Sequence, residues 1–329
     1  MRLLVLGGTA WLGREVVTSA LAAGDDVVCL ARGASGDVPG GAVLVRGDRD
    51  QPSAYDGLEG RFDAVVDLAR QPGHVRGAAA ALEDRCDRYL FVSSGSVYAD
   101  TSRPGLPVDA ELHPPLAADR MTSIEEYGSA KVACEAAVLH TFGASRTLLA
   151  RAGLIGGPGD ASGRTTYWPW RFAHPSVPDG RVLVPDAPEL PCQVVDVRDL
   201  ATWLVDCARD GRTGVVNASG DALPLAQHLR VARAVAGHEA RLAEASPVWL
   251  GSHEVQPWAG PRSLPLWLPL PEYAGFGDRD VSGARELRLV PRPLEETYRD
   301  ALAWQEPLGA PTGAGLSDRE ERELLAGLG

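Results

Sequence analysis

The stretch Met1-Arg-Leu-Leu-Val-Leu-Gly-Gly-Thr-Ala-Trp-Leu-Gly13 decides the fold of this chain. Its apolar residues 2 to 6 predict a buried strand, and the glycines that follow predict a tight turn. From Arg14 to Ala23 apolar residues recur at helical spacing, so a helix is expected to begin where the turn ends. A strand, a glycine-rich turn and a helix in this order can bind phosphate, because the helix N-terminus faces the anion.

Small residues occupy the positions of this turn at which dinucleotide binding requires a residue with little or no side chain. Gly7 permits the tight turn, and Gly8 and Ala10 allow the backbone to approach a pyrophosphate. Gly13 allows the helix to lie close to the strand. We therefore predict that this turn binds a dinucleotide cofactor.

Alternating strands and helices are predicted along the first half of the chain. Helix-like stretches separate the apolar runs, and this alternation is typical of a parallel sheet with helices on both faces. The apolar runs are 2 to 6, 26 to 31, 42 to 46, 63 to 68, 88 to 93 and 146 to 151. The sequence thus predicts an α/β protein with a Rossmann-type doubly wound parallel sheet.

The sequence changes character after about residue 160. Prolines and tryptophans concentrate in 167–191 and 246–273, where there is little regular periodicity. We predict a dinucleotide-binding Rossmann domain over 1–160 and a smaller C-terminal substrate-binding region over 161–329.

Tyr127 and Lys131 form the strongest catalytic candidate. They lie four residues apart, and this spacing places two side chains on one face of a helix. The Lys131 ammonium should favour the ionised phenol, so that the pair can exchange a proton with a carbinol. A packed tyrosine beside a solvated lysine would show the same spacing. The preceding dinucleotide element is what favours the catalytic interpretation.

Together these residues resemble the extended short-chain dehydrogenase/reductase family, which includes nucleotide-sugar epimerases and many NAD(P)-dependent reductases. The resemblance covers residues 1 to 220 and rests on four segments in the family's order. These are the Gly-x-x-Gly-x-x-Gly-like loop Gly7–Gly13, with Ala10 in place of the middle glycine, then Phe91–Tyr98, Tyr127–Lys131 and Arg151–Asp160. Family members return a strand or two to the first domain, so the resemblance implies a soft domain boundary.

The resemblance implies that the loop contributes the first set of cofactor contacts. The loop residues concerned are Gly7, Thr9, Ala10, Trp11, Leu12 and Gly13. It further implies that Asp48 contacts adenine, although an ordinary turn aspartate would look the same. Asp67 and Ala69 should border the nicotinamide ribose, with Ala69 contributing only its backbone.

The end of the second predicted strand bears on the choice of cofactor. NAD sites usually present a carboxylate there to the ribose hydroxyls, whereas this chain has Ala31 and Arg32. Arg32 can bind a 2'-phosphate through charge-assisted hydrogen bonds, which favours NADP(H), with NAD(H) as the alternative. A solvated loop arginine is the other interpretation of Arg32.

A hydroxyl completes the catalytic set that the resemblance implies. Ser94 matches the family's substrate-binding Ser/Thr, with the adjacent Ser93 as the alternative. The Ser94 hydroxyl would hold the carbonyl oxygen that Tyr127 protonates. Lys131 would tune the tyrosine and bond to the nicotinamide ribose, while hydride passes between cofactor and substrate.

Substrate contacts are predicted from scattered residues. Gly95 and Ser96 stand where dehydratases of the family carry acidic residues, so sugar dehydration is not expected. The candidate substrate contacts are Ser96, Tyr167, Trp168, Arg171, Gln193 and Trp258. The aromatic residues could form an apolar wall with Arg171 or Arg262 meeting an anion, but a packed proline-rich region would use them equally well. Gln193 and Asp196 lie in a segment that borders the substrate in the family, and Asp196 also suits the N-cap of a helix beginning near Val197.

The composition limits partners and location. With 329 residues, 45% apolar and 23% charged, the chain can form a large core, and no run of ~18 apolar residues could cross a membrane. We read no signal peptide, so a cytoplasmic enzyme is predicted. The net charge of −12 argues against nucleic-acid binding. The five cysteines lack zinc spacing and are expected to be reduced thiols, with no metal site.

A homodimer is expected from the resemblance, because relatives commonly pair through the Tyr/Lys helix. Apolar residues that could form this face are Val132, Ala136, Ala137 and Leu139. A face buried within one chain would show the same pattern.

Three functions remain open at this stage. The first is an NADPH-dependent reductase acting on a small or medium polar carbonyl compound. The second is a nucleotide-sugar 4-epimerase-type isomerase with tightly bound NAD, which would need a basic diphosphate pocket. The third is a non-catalytic nucleotide-sensing protein, but such relatives often lose the Tyr/Lys pair that this chain retains.

Overall fold

The computed structural model describes residues 1–328. The strands in that range are β1 (Arg2–Leu6), β2 (Asp26–Ala31), β3 (Val43–Arg46), β4 (Phe62–Asp67), β5 (Cys86–Ser94), β6 (Thr147–Ala152), β7 (Leu154–Gly156), β8 (Val182–Pro185), β9 (Pro191–Cys192), β10 (Val194–Asp196), β11 (Gly214–Ala218), β12 (Leu223–Pro224), β13 (Leu242–Ala245), β14 (Gln256–Pro257), β15 (Gly260–Pro261), β16 (Ser263–Leu264) and β17 (Ala314–Gly315).

Ten α-helices lie within residues 1–328, and none of them is long and apolar enough to cross a membrane. They are α1 (Trp11–Ala22), α2 (Pro72–Leu82), α3 (Tyr127–Phe142), α4 (Tyr167–Ala173), α5 (Val197–Asp210), α6 (Leu225–Ala236), α7 (Pro247–Ser252), α8 (Ser282–Glu286), α9 (Leu294–Gln305) and α10 (Asp318–Leu328).

A seven-stranded parallel sheet forms the centre of the molecule. Its strand order is β11-β6-β5-β4-β1-β2-β3, and every neighbouring pair is parallel. The order reverses at β1, which lies between β2 and β4. In doubly wound sheets a ligand binds outside the carboxyl ends of the strands at such a reversal. The predicted fold class is confirmed.

Helices cover both faces of the sheet because the strands are apolar on both sides. One face packs against α1 and α5, and these two helices also contact each other. The other face packs against α2 and α3. A second apolar core, formed largely by α4, α6, α9 and α10, lies in the C-terminal half.

The later half of the chain does not form one continuous unit. Helix α5 and strand β11 return to the seven-stranded sheet, where β11 pairs with β6. Asp196 caps α5, because its side chain accepts a hydrogen bond from the Arg198 backbone N–H at 2.9 Å. The helix start predicted near Val197 is therefore confirmed.

Close backbone packing fixes the start of α1. A Cβ on Gly13 would lie 2.2 Å from the Gly7 carbonyl oxygen, so only glycine fits this contact. A Cβ on Gly8 would lie 2.5 Å from Cys29 Sγ. The sequence predicts that Gly8 lets a pyrophosphate approach the backbone. The structure adds a second reason for glycine at this position, which is close packing against β2.

We predict that Gly13→Ala lowers the free energy of unfolding by at least about 2 kcal/mol, because the rigid Gly7 backbone cannot make room for a methyl group. The matched control is Gly251→Ala in α7, where an added Cβ meets nothing within 4 Å. We expect that control to leave stability unchanged or to raise it by up to about 1 kcal/mol. Urea denaturation of both variants measures the difference, and equal losses would contradict the packing account.

Candidate active site

A cavity of about 210 Å³ opens at the carboxyl ends of β1, β2 and β4. Six of the predicted cofactor residues line it, namely Gly7, Thr9, Ala10, Arg32, Asp48 and Ala69. Ser35, Arg49 and His74 also line it and were not predicted. The structure thus brings together residues from four separate chain segments around one space.

The glycine-rich loop forms one wall of this cavity. Gly7 has a φ of +102°, a conformation that glycine adopts without strain, and its N–H donates to the Leu30 carbonyl. Ala10 is exposed at the N-terminus of α1. The Trp11 indole N–H donates to the Pro158 carbonyl at 2.7 Å. The Trp11 side chain therefore ties the loop to a distant segment, and only its backbone remains available to a cofactor.

Arg32 and Asp48 also line the cavity. Arg32 is exposed just after β2 and forms no ion pair within residues 1–328. Asp48 is exposed, and its carboxylate accepts a hydrogen bond from the Asp50 backbone N–H at 3.2 Å, as an ordinary turn aspartate does. Arg32 thus presents a free positive charge at the cavity.

A buried ion pair lies beneath the cavity and was missed by the sequence analysis. Asp67 at the end of β4 is fully buried, and both of its oxygens accept hydrogen bonds from Arg49 at 2.8 Å. The same carboxylate accepts from the Tyr89 hydroxyl at 2.6 Å and from the Ala69 N–H at 2.9 Å. Of the segment expected to border the ribose, Ala69 lines the cavity, while the Asp67 carboxylate is occupied by Arg49 and its other partners. The ribose contact stays a prediction.

The charge of Asp67 follows from this arrangement. Burial pushes the pKa of Asp67 upward, but Arg49 and the hydrogen bonds from Tyr89 and Ala69 more than offset burial, so the net pKa is lowered. Arg49 also donates to the His74 carbonyl at 2.7 Å. One ionised carboxylate thereby fixes β4, β5, the loop after β3 and the start of α2.

Lys131 and Tyr127 occupy the first two turns of α3. Lys131 is buried, and its Nζ donates to the carbonyls of Ala69 and Val92 at 2.7 Å each. An ammonium has three N–H donors, so one remains for a ligand. Nζ lies 6.0 Å from the centre of the half-buried Tyr127 ring. The Arg70 guanidinium lies 5.3 Å from the same ring.

Ser93 and Ser94 face different surroundings at the end of β5. The Ser93 hydroxyl is buried and donates to Glu135 at 2.5 Å. The Ser94 hydroxyl is half-buried, accepts a hydrogen bond from the Ser96 N–H at 3.1 Å and lies 3.2 Å from the Ser96 hydroxyl. Ser94 is therefore the serine whose hydroxyl remains accessible, beside Ser96.

Three predicted substrate residues belong instead to the second core. Tyr167 and Trp168 are buried among its apolar side chains, and the Trp168 indole donates to the Pro265 carbonyl at 2.8 Å. Arg171 is also buried and donates to Asp318 and to the Leu316 carbonyl. The predicted substrate roles of these three residues are wrong, because Tyr167 and Trp168 fill the second core and Arg171 joins α4 to α10.

The other two candidates from the C-terminal half, Trp258 and Gln193, each contact an arginine. Trp258 is half-buried, with the Arg164 guanidinium 5.2 Å from its ring. Burial lowers the pKa of Arg164, while Asp160 and the nearby Tyr127 phenol oppose that shift. Gln193 is buried, and its amide bonds to the backbone of Arg279. Arg164 was not predicted, because a lone loop arginine carries no sequence pattern.

The predicted dimer face is largely used within the chain. Val132 is buried against Val97 and Tyr98, and Ala137 and Leu139 pack against the core on one face of the sheet. Of the four predicted residues only Ala136 is exposed, beside a groove of about 670 Å³ between α2 and α3. The homodimer stays a prediction.

We predict that Asp67→Asn costs about 3–5 kcal/mol of unfolding free energy at pH 7, because Arg49 is left buried without its carboxylate. The folded pKa of Asp67 lies below its unfolded value, so wild type loses this stabilisation as the pH falls from about 4 through the lowered pKa. The variant should lose less stability over that window. Urea denaturation from pH 7 to 3 measures both effects.

The control for this experiment is Asp206→Asn, which changes an exposed aspartate on α5. It should leave the stability and its acid dependence within about 0.5 kcal/mol of wild type. A variant at Asp67 that behaves like the control would disprove the structural role of the ion pair.

Sequence comparison connects this site to known proteins. The chain matches the family model described as NAD dependent epimerase/dehydratase family over residues 3–83. The predicted resemblance to extended short-chain dehydrogenases/reductases is confirmed. The matched residues contain the glycine-rich loop, Arg32 and the Asp67–Arg49 pair, but end before Tyr127.

A curated relative extends the match. The chain is 36% identical over 164 residues to a 2'-dehydrokanamycin reductase of Streptomyces kanamyceticus. The match covers 47% of this chain and 43% of that protein, so the chain spans less than half the length of the relative. That relative is a reductase, and the NAD dependent epimerase/dehydratase family consists of enzymes.

Solved structures support the fold over almost the whole chain. WbmG of Bordetella bronchiseptica, in complex with NAD and UDP, is 18% identical with a TM-score of 0.67, covering 94% of this chain and 96% of that chain. The UDP-glucose 4-epimerase of Thermotoga maritima, with UDP-glucose, is 17% identical with a TM-score of 0.66, covering 94% and 99%. At these identities the likeness concerns the fold.

Proposed function

We propose that this protein is an NADP(H)-dependent reductase of a carbonyl compound, with Tyr127 as its acid/base. The observation that carries the proposal is the hydrogen bond from Lys131 Nζ to the Ala69 carbonyl. Ala69 lines the cavity at the sheet edge, so this bond joins the Tyr127–Lys131 pair directly to the cavity wall. The family match to an NAD-dependent group and the reductase relative support the proposal.

The residues around the cavity fit a nicotinamide dinucleotide. A closely packed glycine turn leads into the N-terminus of α1, which favours a pyrophosphate. The loop Gly7–Gly13 would hold this group, with Asp48 towards the adenine end and Ala69 and Lys131 towards the nicotinamide end. When bound, the cofactor would supply the hydride for the reduction.

Arg32 favours NADP(H) over NAD(H) in this proposal. The residue stands at the cavity wall without an ion pair in residues 1–328, and β2 ends in Ala31 without a carboxylate for the ribose hydroxyls. A guanidinium with free N–H groups suits a phosphate, since such pairs form two parallel hydrogen bonds.

The remaining steps belong to the residues of α3 and β5. Ser94 would orient the substrate carbonyl oxygen through its accessible hydroxyl, and Tyr127 would deliver a proton to that oxygen. Lys131 is held rigidly by two carbonyls, so its charge stays beside the phenol. Such preorganisation removes much of the entropic cost of bringing reactants together.

We predict that Arg32→Ala weakens NADPH binding by about 10- to 100-fold, the loss of one or two charge-assisted hydrogen bonds. NADH affinity should change less than about threefold. Isothermal titration with both cofactors measures this, and Arg61→Ala, an exposed arginine before β4, serves as the control. An equal loss for both cofactors would argue against a 2'-phosphate site.

We predict that Tyr127→Phe lowers kcat for carbonyl reduction by about 10²- to 10⁴-fold, because the proton donor is lost. NADPH affinity should remain within threefold of wild type. The control is Tyr273→Phe, at an exposed tyrosine. NADPH consumption with a carbonyl panel is the measurement.

Two results would contradict the proposed function. One is a Tyr127→Phe variant that keeps the wild-type rate. The other is interconversion of UDP-glucose and UDP-galactose without net NADPH consumption, which would identify an isomerase instead.

A further inference from the structure

Arg279 is a buried arginine that no part of the proposed reaction uses. It lies just before α8 and is only 4% exposed. A Cβ on Gly95 would lie 2.2 Å from the Arg279 Cζ and 2.6 Å from its Nη1. The guanidinium therefore rests on Gly95, directly between Ser94 and Ser96.

This guanidinium lacks a partner. Within residues 1–328 no carboxylate forms an ion pair with it, and its Nε is buried without any hydrogen bond. The Phe276 ring, 4.6 Å from Cζ, offers a cation–π contact but no oxygen acceptor. Burial lowers the pKa of Arg279 to about 10, so the group is still charged at neutral pH. Buried charges are ordinarily paired.

A neighbouring arginine shows that this region can pair a buried cation. Arg151, on the adjacent strand β6, is buried to the same degree and donates to both oxygens of Glu135, at 3.0 and 2.8 Å. The chain supplies a carboxylate to Arg151 and none to Arg279. A ligand is therefore the natural partner for Arg279.

The surroundings of Arg279 hold it in place. Its backbone N–H donates to Gln193 Oε1, and its carbonyl accepts from Gln193 Nε2, both at 2.9 Å. Gly95 leaves room for the guanidinium, whereas a Cβ on Gly153 would lie 2.3 Å from Ser219 Oγ and 3.7 Å from the Arg279 Nη1. Ser219 Oγ, which packs against Gly153, is likewise buried without a hydrogen-bond partner. Two buried groups without hydrogen-bond partners, Arg279 Nε and Ser219 Oγ, thus lie next to Gly95 and Gly153.

We propose that Arg279 binds a carboxylate of the substrate, so that the substrate class is a small oxo acid. The inference rests on the proposed function, in which Ser94 holds the reacting carbonyl oxygen. Ser94 and Gly95 are consecutive, with Cα atoms about 3.8 Å apart. A small molecule that meets both the Ser94 hydroxyl and the guanidinium on Gly95 therefore carries its anionic group within a few bonds of the carbonyl.

The planar donors of the guanidinium suit an anion with two free oxygens, either a carboxylate or a phosphate, whereas a cationic substrate would meet a like charge. Because Arg279 is only 4% exposed, we assign it the smaller of these anions, the carboxylate. The carboxylate itself takes no part in bond making. Reduction converts the adjacent carbonyl to an alcohol, with the hydride supplied by NADPH and the proton by Tyr127. Arg279 is thus a residue for substrate specificity.

The test uses two pairs of substrates, each an oxo acid and its uncharged methyl ester. These are acetoacetate with methyl acetoacetate, and 2-oxobutyrate with methyl 2-oxobutyrate, each tested with wild type and Arg279→Gln. Thermal unfolding in the presence of NADP reports binding, and NADPH consumption reports turnover. Inorganic phosphate is a further probe, and Arg299→Gln, at an exposed arginine of α9, is the control.

For wild type we expect at least one acid to raise the melting temperature and to exceed its ester in kcat/KM by at least about 30-fold. Arg279→Gln should abolish both preferences while leaving ester turnover within about threefold. The variant without ligand should melt no lower than wild type, because an unpaired buried charge has been removed. The Arg299→Gln control should retain the preference for the acid.

Other results would overturn the inference. Equal kcat/KM for acids and esters in wild type would do so, as would stabilisation by inorganic phosphate but by neither acid. If Arg279→Gln does not fold, the comparison of acids and esters in wild type decides alone. Stabilisation by an acid without NADPH consumption would sustain the anion site and refute the reductase, so the two proposals fail separately.

Discussion

One buried carboxylate, that of Asp67, holds together the edge of the sheet formed by the carboxyl ends of its strands, where the cavity opens. It lies where the strand order reverses, and its partners come from the loop after β3, from β5 and from the turn after β4. Arg49 extends the network to α2 through the His74 carbonyl. Because Asp67 and Arg49 neutralise each other inside the protein, the charged groups that remain for a ligand lie on the cavity wall, and Arg32 is a cation among them.

The strands and the first loop could be predicted because their signals are local. Apolar runs mark six of the seven strands of the sheet to within two residues, and Gly7 and Gly13 serve the turn as expected. Strand β11 was not predicted. Contacts between distant residues carry no such signal. The sequence cannot show that Arg49 meets Asp67, nor that Gly8 packs against Cys29.

The aromatic segment shows a different limit of sequence reasoning. Tyr167 and Trp168 have the composition of a ligand pocket and also that of a core, and only the three-dimensional packing distinguishes the two. Arg164 and Arg279 lie in irregular segments, so no spacing marks them. They become visible only when the chain brings them beside Tyr127 and Ser94.

The hydrogen bond between the Trp11 indole and the Pro158 carbonyl has a mechanical consequence. It clamps the start of α1 to the segment that continues through Asp160 towards Arg164 and α4. Arg164 lies beside both the Tyr127 phenol and the Trp258 ring. A displacement of the glycine-rich loop would therefore be passed along this segment to the surroundings of the candidate acid/base.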